Sequence, residues 1–286
     1  TQFGKSIKMG VMEDMANKSK LAKLLRFKTS KTDGKFGSLE EYVERMPEWQ
    51  TDIYYIAAES LEAAQKSPFM EVAKKKGIEV LLLDEPLDEY CIQNLGDFDG
   101  HKLMSLTKEG VKFGDEDEDA IKKRTKLYKQ QFKPLTKYMK NLFEGKLSKV
   151  TVSQRVESAP SVIVTSQFGH SANMERIIRA QTFANPETYK ALMASKTLEL
   201  NPRHPIIVKL NELVQDADQA EEESTKDLAY LVYDAAIMAS GFMHDETDEF
   251  TARMYRTVAK SLQVESMDLV EELQVEEDEE EEEEET

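Results

Sequence analysis

Two runs of the chain, 52–57 (DIYYIA) and 79–83 (EVLLL), are apolar almost without interruption, and a helical pattern lies between them. Strands of this kind are buried on both faces. A helix between two of them carries the chain back, so that the strands run parallel. The pair therefore demands an α/β layer, with helices over both faces of a sheet. The intervening helix, 61–76, ends in Lys74, Lys75 and Lys76 before Gly77, a basic last turn with a glycine stop. Pro86 opens a further helix over 88–95, Asp99-Gly100 marks a turn, and 103–106 reads as an edge strand.

Upstream, 9–27 reads as a helical opening segment and 28–38 as a loop rich in Gly, Ser, Thr and Lys. Ser38 then caps the helix SLEEYVERM, with Glu41 at the capping-box position. Downstream, 115–144 is a long charged helix. Tyr128, Phe132, Leu135, Met139 and Leu142 form its core-facing stripe, and Pro134 predicts a kink or two abutting helices.

A second unit starts near Lys149, with strands at 150–155 and 161–166 and helices at 173–183, 205–216, 225–240 and 246–262. The last two carry apolar faces: Leu228, Leu231, Val232, Ala235, Met238 and Ala239 on one, Phe250, Met254, Val258 and Leu262 on the other. Their short linker, SGFMHDET, makes them antiparallel neighbours. Such a pair packs on its own domain or on a second copy of itself, and spacing leaves both open. The fold class is thus α/β with an α+β second unit, in two domains, as 286 residues would lead one to expect. The divisions are 1–148 (helical opening 1–27, α/β unit 28–113, long helix 114–147), 149–265, and an acidic tail 266–286.

Net charge is −17, of which ten acids fall in the run Glu276 to Glu285. Without that run, 38 basic residues face 45 acidic ones, a balance of −7, which disfavours nucleic-acid partners. The run repels itself, so the tail is expected to be disordered, either a solubilising segment or a weak binder of calcium or basic partners. Cys91 is the only cysteine, which excludes an internal disulfide and a cysteine zinc site; it reads as a buried apolar residue. No apolar run is long enough to span a bilayer, so no membrane partner is expected. The first residues lack the apolar core of a signal peptide, and a start at Thr1 rather than Met predicts a piece of a longer chain.

Phosphate-loop, dinucleotide, zinc-protease and nucleophile-elbow motifs are all missing, and the four histidines have no short ligand spacing, so no catalytic residue, cofactor or metal site is expected. Asn17-Lys18-Ser19 is a glycosylation sequon, with Asn17 as acceptor. The segment NMERIIRA places Met174, Ile177 and Ile178 on one helix face, with Phe168, Gly169 and His170 leading in. It reads either as a core-packing helix or as an apolar ridge for unfolded segments, since Met adapts to many partners.

The segments IKMGVMED, LAKLLRF, SLEEYVERM, IYYIA, SPFMEV, EPLDEYCIQ, KEGVKF, VSQR, FGHSANMERIIRAQ and LELNPRHPII, with the paired terminal helices, run in the order found in the ninety-kilodalton heat-shock chaperone family. The chain resembles that family from about Ile7 to Leu262, and its endoplasmic-reticulum branch most of all. The Gln-Arg of VSQR, the Arg203-His204-Pro205 run, the Asn17 sequon and the acidic tail point to that branch; DEYCIQ separates it from the mitochondrial members.

The resemblance implies the end of a middle domain followed by a dimerisation domain, with the ATP and magnesium site in domains further upstream and no ATP hydrolysis by this part. It implies a homodimer in which Leu228, Leu231, Val232, Ala235, Met238, Phe250, Met254, Val258 and Leu262 build a four-helix bundle with the second protomer. It also implies a client site at Phe168, His170, Met174, Ile177 and Ile178, facing the cleft between protomers. His170 departs from the family, which usually carries Trp there. The implied compartment is the endoplasmic-reticulum lumen, with mitochondrion or cytoplasm as alternatives. Client identity and co-chaperones are not implied. The competing reading is an acidic-tailed interaction module binding calcium or basic partners.

Overall fold

The computed structural model describes residues 3–115, 117–167, 169–181 and 196–273. The expected opening helix is divided into α1 (Gly4–Glu13) and α2 (Lys18–Ala22). The division lies at Asp14, whose carboxylate accepts from the Asn17 backbone N–H at 3.1 Å and from the Asn17 side chain at 2.8 Å. Such local side-chain bonds compete with helix continuation.

The segment expected as a loop holds a hairpin, β1 (Phe27–Thr29) and β2 (Phe36–Gly37). Glu79 accounts for it. Its buried carboxylate accepts from Arg45 Nη2 at 2.7 Å and Nε at 2.9 Å, and from the Thr29 hydroxyl, so the hairpin and α3 (Leu39–Glu44) are fastened to the same point. Ser38 and Glu41 form the anticipated capping box at the start of α3.

β3 (Ile53–Ala57) is followed by two helices where one was expected, α4 (Leu61–Lys66) and α5 (Phe69–Lys75). Ser67 between them is extended (ψ 136°), as a residue preceding proline prefers to be. Then come β4 (Val80–Leu83), α6 (Pro86–Leu95), β5 (Asp97–Phe98) and β6 (His101–Ser105). The sheet order is β2-β1-β4-β3-β6-β5. β4, β3 and β6 are mutually parallel, while β1 and β5 pair antiparallel at the two sides. The sheet is therefore mixed and wider than the parallel layer expected from sequence.

Alternate residues of β3 serve opposite faces. Ile53 and Tyr55 join Leu39, Tyr42 and Cys91 beneath α1, α3 and α6. Tyr54 and Ile56 join Phe69, Met70 and Val72 beneath α4 and α5. Burial pushes the Cys91 thiol up to about 12.

The long helix is two helices, α7 (Glu118–Gln131) and α8 (Lys133–Leu142), abutting at Phe132 with Pro134 in the first turn of the second. Phe132, Leu135 and Met139 are buried, and they pack with the strands of the second unit.

That unit contains β7 (Lys149–Val152), β8 (Ser161–Thr165), α9 (Ala172–Gln181), β9 (Lys196–Leu200), α10 (Pro205–Leu213), α11 (Ala217–Glu221), α12 (Glu223–Ala239) and α13 (Thr247–Leu262). The expected end of α9 at 183 lies outside the described residues. β9 is the middle strand, parallel to β7 and antiparallel to β8, and sequence reading did not anticipate it. Its pattern, KTLEL, carries two charges into a buried strand, and each meets a distant partner: Lys196 meets Glu175, and Glu199 meets Arg155 at 3.2 Å.

β8 belongs to two cores. Ile163 packs with Leu198, Val232 and Ala236, whereas Val162 and Val164 pack in the core under α4 and α5. The edge of β8 also bonds to the first unit: the Glu109 N–H donates to the Thr165 carbonyl at 2.9 Å, and the Thr165 N–H to the Thr107 carbonyl at 3.2 Å.

Candidate functional site

Two places gather the residues singled out by sequence. The first is α9. Ser171 precedes it and links it to the first unit: the Ser171 hydroxyl donates to Glu89 Oε2 on α6 at 2.9 Å, and accepts from the Met174 N–H at 3.1 Å. Asn173 Nδ2 reaches the same carboxylate oxygen at 3.4 Å. Burial raises the Glu89 carboxyl above its usual range, against the lowering effect of these bonds and of Lys108. Lys108 donates to the carbonyl of Gly169 and to Thr165 Oγ1, and burial lowers its ammonium.

Along α9, Glu175 pairs with Lys196 of β9 at 2.9 Å and with Arg179 at 3.1 Å. Arg179 continues to Asp245 at 2.7 Å, in the linker between α12 and α13, and Arg176 pairs with Glu59 of the first unit at 3.3 Å. α9 thus spans three parts of the chain through charged residues. These charges, not the apolar stripe, set its position, and sequence reading missed Glu89, Lys108 and Lys196, whose partners lie far away in the chain.

Met174 is not on an exposed ridge: it is 3% exposed and part of the interior. Ile177 and Ile178 are half-buried, and His170 is exposed. Phe168 lies outside the described residues. The ridge implied by the resemblance is therefore narrower than three residues, because Glu175 and Asn173, beside Met174, are drawn inward by their polar partners.

The second place is the α12–α13 hairpin. α12 is apolar on two sides. Ala229, Val232, Tyr233, Ala236 and Ile237 face the chain's own core, so Val232, expected on the outward face, is buried here. Leu228, Ala235 and Met238 are exposed, and Leu231 is half-buried. On α13, Phe250 is half-buried, while Met254, Val258 and Leu262 are exposed, Leu262 by 70%.

What joins the two helices is largely ionic. Asp234 is buried and accepts from Arg253 Nη2 at 3.0 Å and meets His244 Nε2 at 2.9 Å. Asp227 takes Arg256 in a bidentate pair at 2.8 and 2.6 Å. The Arg253 guanidinium also sits over the Tyr230 ring, 4.6 Å from its centre. Because the seam uses charge, the apolar stripe is left outward. A signal was available: Asp227 and Asp234 share one face of α12, seven residues apart, and the arginines share one face of α13.

Asn17 is exposed at the start of α2. Among the described residues, no group of three His, Cys, Asp or Glu side chains is placed to hold a metal ion, and no helix is long and apolar enough to cross a membrane.

The arrangement defines a class: an α+β chain with a strand common to two cores, ending in a helix hairpin whose apolar side faces away from its own body. The family described as Hsp90 protein matches residues 1–286. The chain is 43% identical to an endoplasmin homolog of Arabidopsis thaliana over 276 residues, which is 96% of this chain and 32% of that protein. It is 43% identical to an endoplasmin homolog of Catharanthus roseus over 95% of this chain and 32% of that protein, and 42% identical to one of Hordeum vulgare over 95% and 33%. The chain belongs to the Hsp90 family of chaperones. It spans about a third of the length of these curated relatives.

Proposed function

We propose that this chain is the dimerising and client-holding part of an Hsp90-family chaperone of the endoplasmic-reticulum lumen. ATP hydrolysis would be supplied by sequence outside the chain. Family membership and the endoplasmin names of the relatives support the chaperone role and the compartment.

One observation carries the dimer: the ionic seam between α12 and α13 leaves Leu228, Ala235, Met238, Met254, Val258 and Leu262 uncovered. Burying a large aliphatic side chain contributes about 1.5–3 kcal/mol, so a self-complementary stripe of this size is costly to leave in water. A second hairpin laid across the first completes a four-helix bundle. The client site is then proposed at Ile177, Ile178 and His170, with Met174 supporting the helix from within. The tail is proposed to be dispensable for both roles, against the reading of a calcium or basic-partner module.

Light scattering over a dilution series tests the dimer. The expected mass is twice 32.7 kDa, and Leu228→Asp with Val258→Asp is expected to return the monomer with its circular dichroism intact. A monomer at every concentration of the unaltered chain would overturn the reading.

A further inference from the structure

We propose that a lysine stripe along α7 and α8 is the docking site of the chain's own acidic run, Glu276 to Glu285. Lys122, Lys126, Lys129, Lys133, Lys137 and Lys140 follow one another at steps of four, three, four, four and three residues. Those steps keep Lys122, Lys126 and Lys129 on one face of α7 and Lys133, Lys137 and Lys140 on one face of α8, on either side of the junction at Phe132. All six are exposed. Another face carries Phe132, Leu135 and Met139 into the core, which holds the stripe outward.

What distinguishes the stripe is its continuity: exposed lysines elsewhere that make no ion pair among the described residues, such as Lys5, Lys35, Lys102 and Lys149, do not form a row. Lys23, Lys28, Lys66, Lys75 and Lys76 each have a carboxylate partner. On the stripe, Lys122 pairs with Glu118 at 3.3 Å, whereas Lys126, Lys129, Lys133, Lys137 and Lys140 make no ion pair among the described residues. Like charges three and four residues apart on a helix repel. An uncompensated row of this kind in a chain of net charge −17 calls for a polyanionic occupant, and the densest one available is the chain's own run of ten acids.

The dimensions agree. The nineteen residues from Lys122 to Lys140 span about 27 Å of helix over their eighteen steps. Ten residues of extended chain span about 33 Å. The exit point is suitable as well. Lys260 and Ser261, at the end of α13, line one hollow with Gln219 and Glu222. Next to Gln219, the Ala220 carbonyl accepts from the Tyr138 hydroxyl of α8 at 3.0 Å. The thirteen residues from Gln263 to Val275 reach about 43 Å, several times the width of a helix, and so can pass around α8. Tethering raises the effective concentration of the run over that of any free polyanion. The contact is between exposed charges, so it weakens as salt shortens the screening length.

The test is carbodiimide coupling of carboxylates to amines on the full chain, mixing isotopically heavy and light protein, read by mass spectrometry. Expected are tail links to Lys126, Lys129, Lys133, Lys137 and Lys140 within chains of one isotope, falling several-fold at about 0.5 M salt. The charge-reversed variant K126E/K129E/K133E/K137E removes four of the amines and is read at Lys122 and Lys140, whose tail links are expected to fall several-fold while tail links elsewhere do not rise. Should that variant misfold, replacing the ten tail acids with Gln or Asn is expected to raise the acylation rate of the stripe lysines at least twofold. Links scattered over all exposed lysines, or acylation rates unchanged by the neutral tail, would overturn the proposal. In an equal mixture whose subunits have exchanged, mixed-isotope links making up about half of the stripe links, the statistical share for contacts between chains, would assign the stripe to a second copy's tail and overturn the intrachain docking.

Discussion

Glu175 Oε2 and Lys196 Nζ lie 2.9 Å apart with both side chains almost wholly out of water, and they join α9, which also bonds to α6 of the first unit, to the middle strand of the second sheet. Removing one partner of such a pair strands a buried charge, at about 3–5 kcal/mol. The two deletions are not equivalent. Glu175 serves two cations, Lys196 at 2.9 Å and Arg179 at 3.1 Å, so Glu175→Gln takes the anion from both, whereas Lys196→Met leaves the Glu175–Arg179 pair in place. Urea unfolding is expected to place Glu175→Gln as the more damaging change, and Glu175→Met/Lys196→Met as milder than that single variant. Equal losses for both single changes would show that the pair is not the source of the stability.

Glu89 gives the junction between α6 and α9 a pH dependence with a definite sign. Its folded pKa is raised by burial above the ordinary glutamate value of 4.5. The native state therefore keeps this proton where the unfolded state has lost it. Stability contributed by protonated Glu89 is fully present below 4.5 and is lost as pH rises through the folded value. Relative to Glu89→Gln, the unaltered chain is expected to lose denaturation midpoint from pH 4.5 upward. Parallel profiles for the two proteins would refute this.

Met174 and Ile178 separate packing from client contact. Met174→Ala opens the interior and is expected to cost about 2–5 kcal/mol. Ile178→Ser, at a half-buried site, is expected to cost about 1 kcal/mol or less while weakening suppression of aggregation of a denatured test protein. A normal aggregation assay for Ile178→Ser would remove this residue from the proposed client surface.

Gly114 precedes α7 with φ +89°, and a Cβ there would stand 2.5 Å from the Trp49 carbonyl oxygen. Both the backbone region and the contact oppose any side chain. Gly114→Ala is expected to lower stability by about 2 kcal/mol or more, and Gly145→Ala, where no atom lies within 4 Å of the added carbon, by less. Thermal melts of the two variants decide it, with equal shifts counting against the clash.

Sequence disclosed the parts whose signal is local. The continuous apolar runs of β3 and β4, the Ser38 capping box and the amphipathic stripe of α8 each follow from neighbouring residues. β9 was hidden because its charges look like surface residues until Glu175 and Arg155 arrive from elsewhere in the chain. The β1–β2 hairpin was hidden behind glycine and lysine for the same reason, its anchor at Glu79 lying about fifty positions further on. At the candidate site, spacing offered two readings for NMERIIRA, a core-packing helix or an exposed ridge, and could not choose; Met174 takes the first. Periodicity identifies an apolar face without saying what it meets.

The strand common to both cores has a mechanical consequence. Turning the first unit moves Val162 and Val164, and these share a backbone with Ile163, which cannot stay behind. α12 is fixed to the same strand at both ends of its contact, by the Ile163 N–H to Ser240 Oγ at 2.8 Å and by the Ser161 hydroxyl to the Val232 carbonyl at 3.2 Å. A rotation at the front of the chain is therefore delivered to the terminal hairpin with little slack. In the proposed dimer, the angle at which two such hairpins meet would be geared to the posture of the units that carry them.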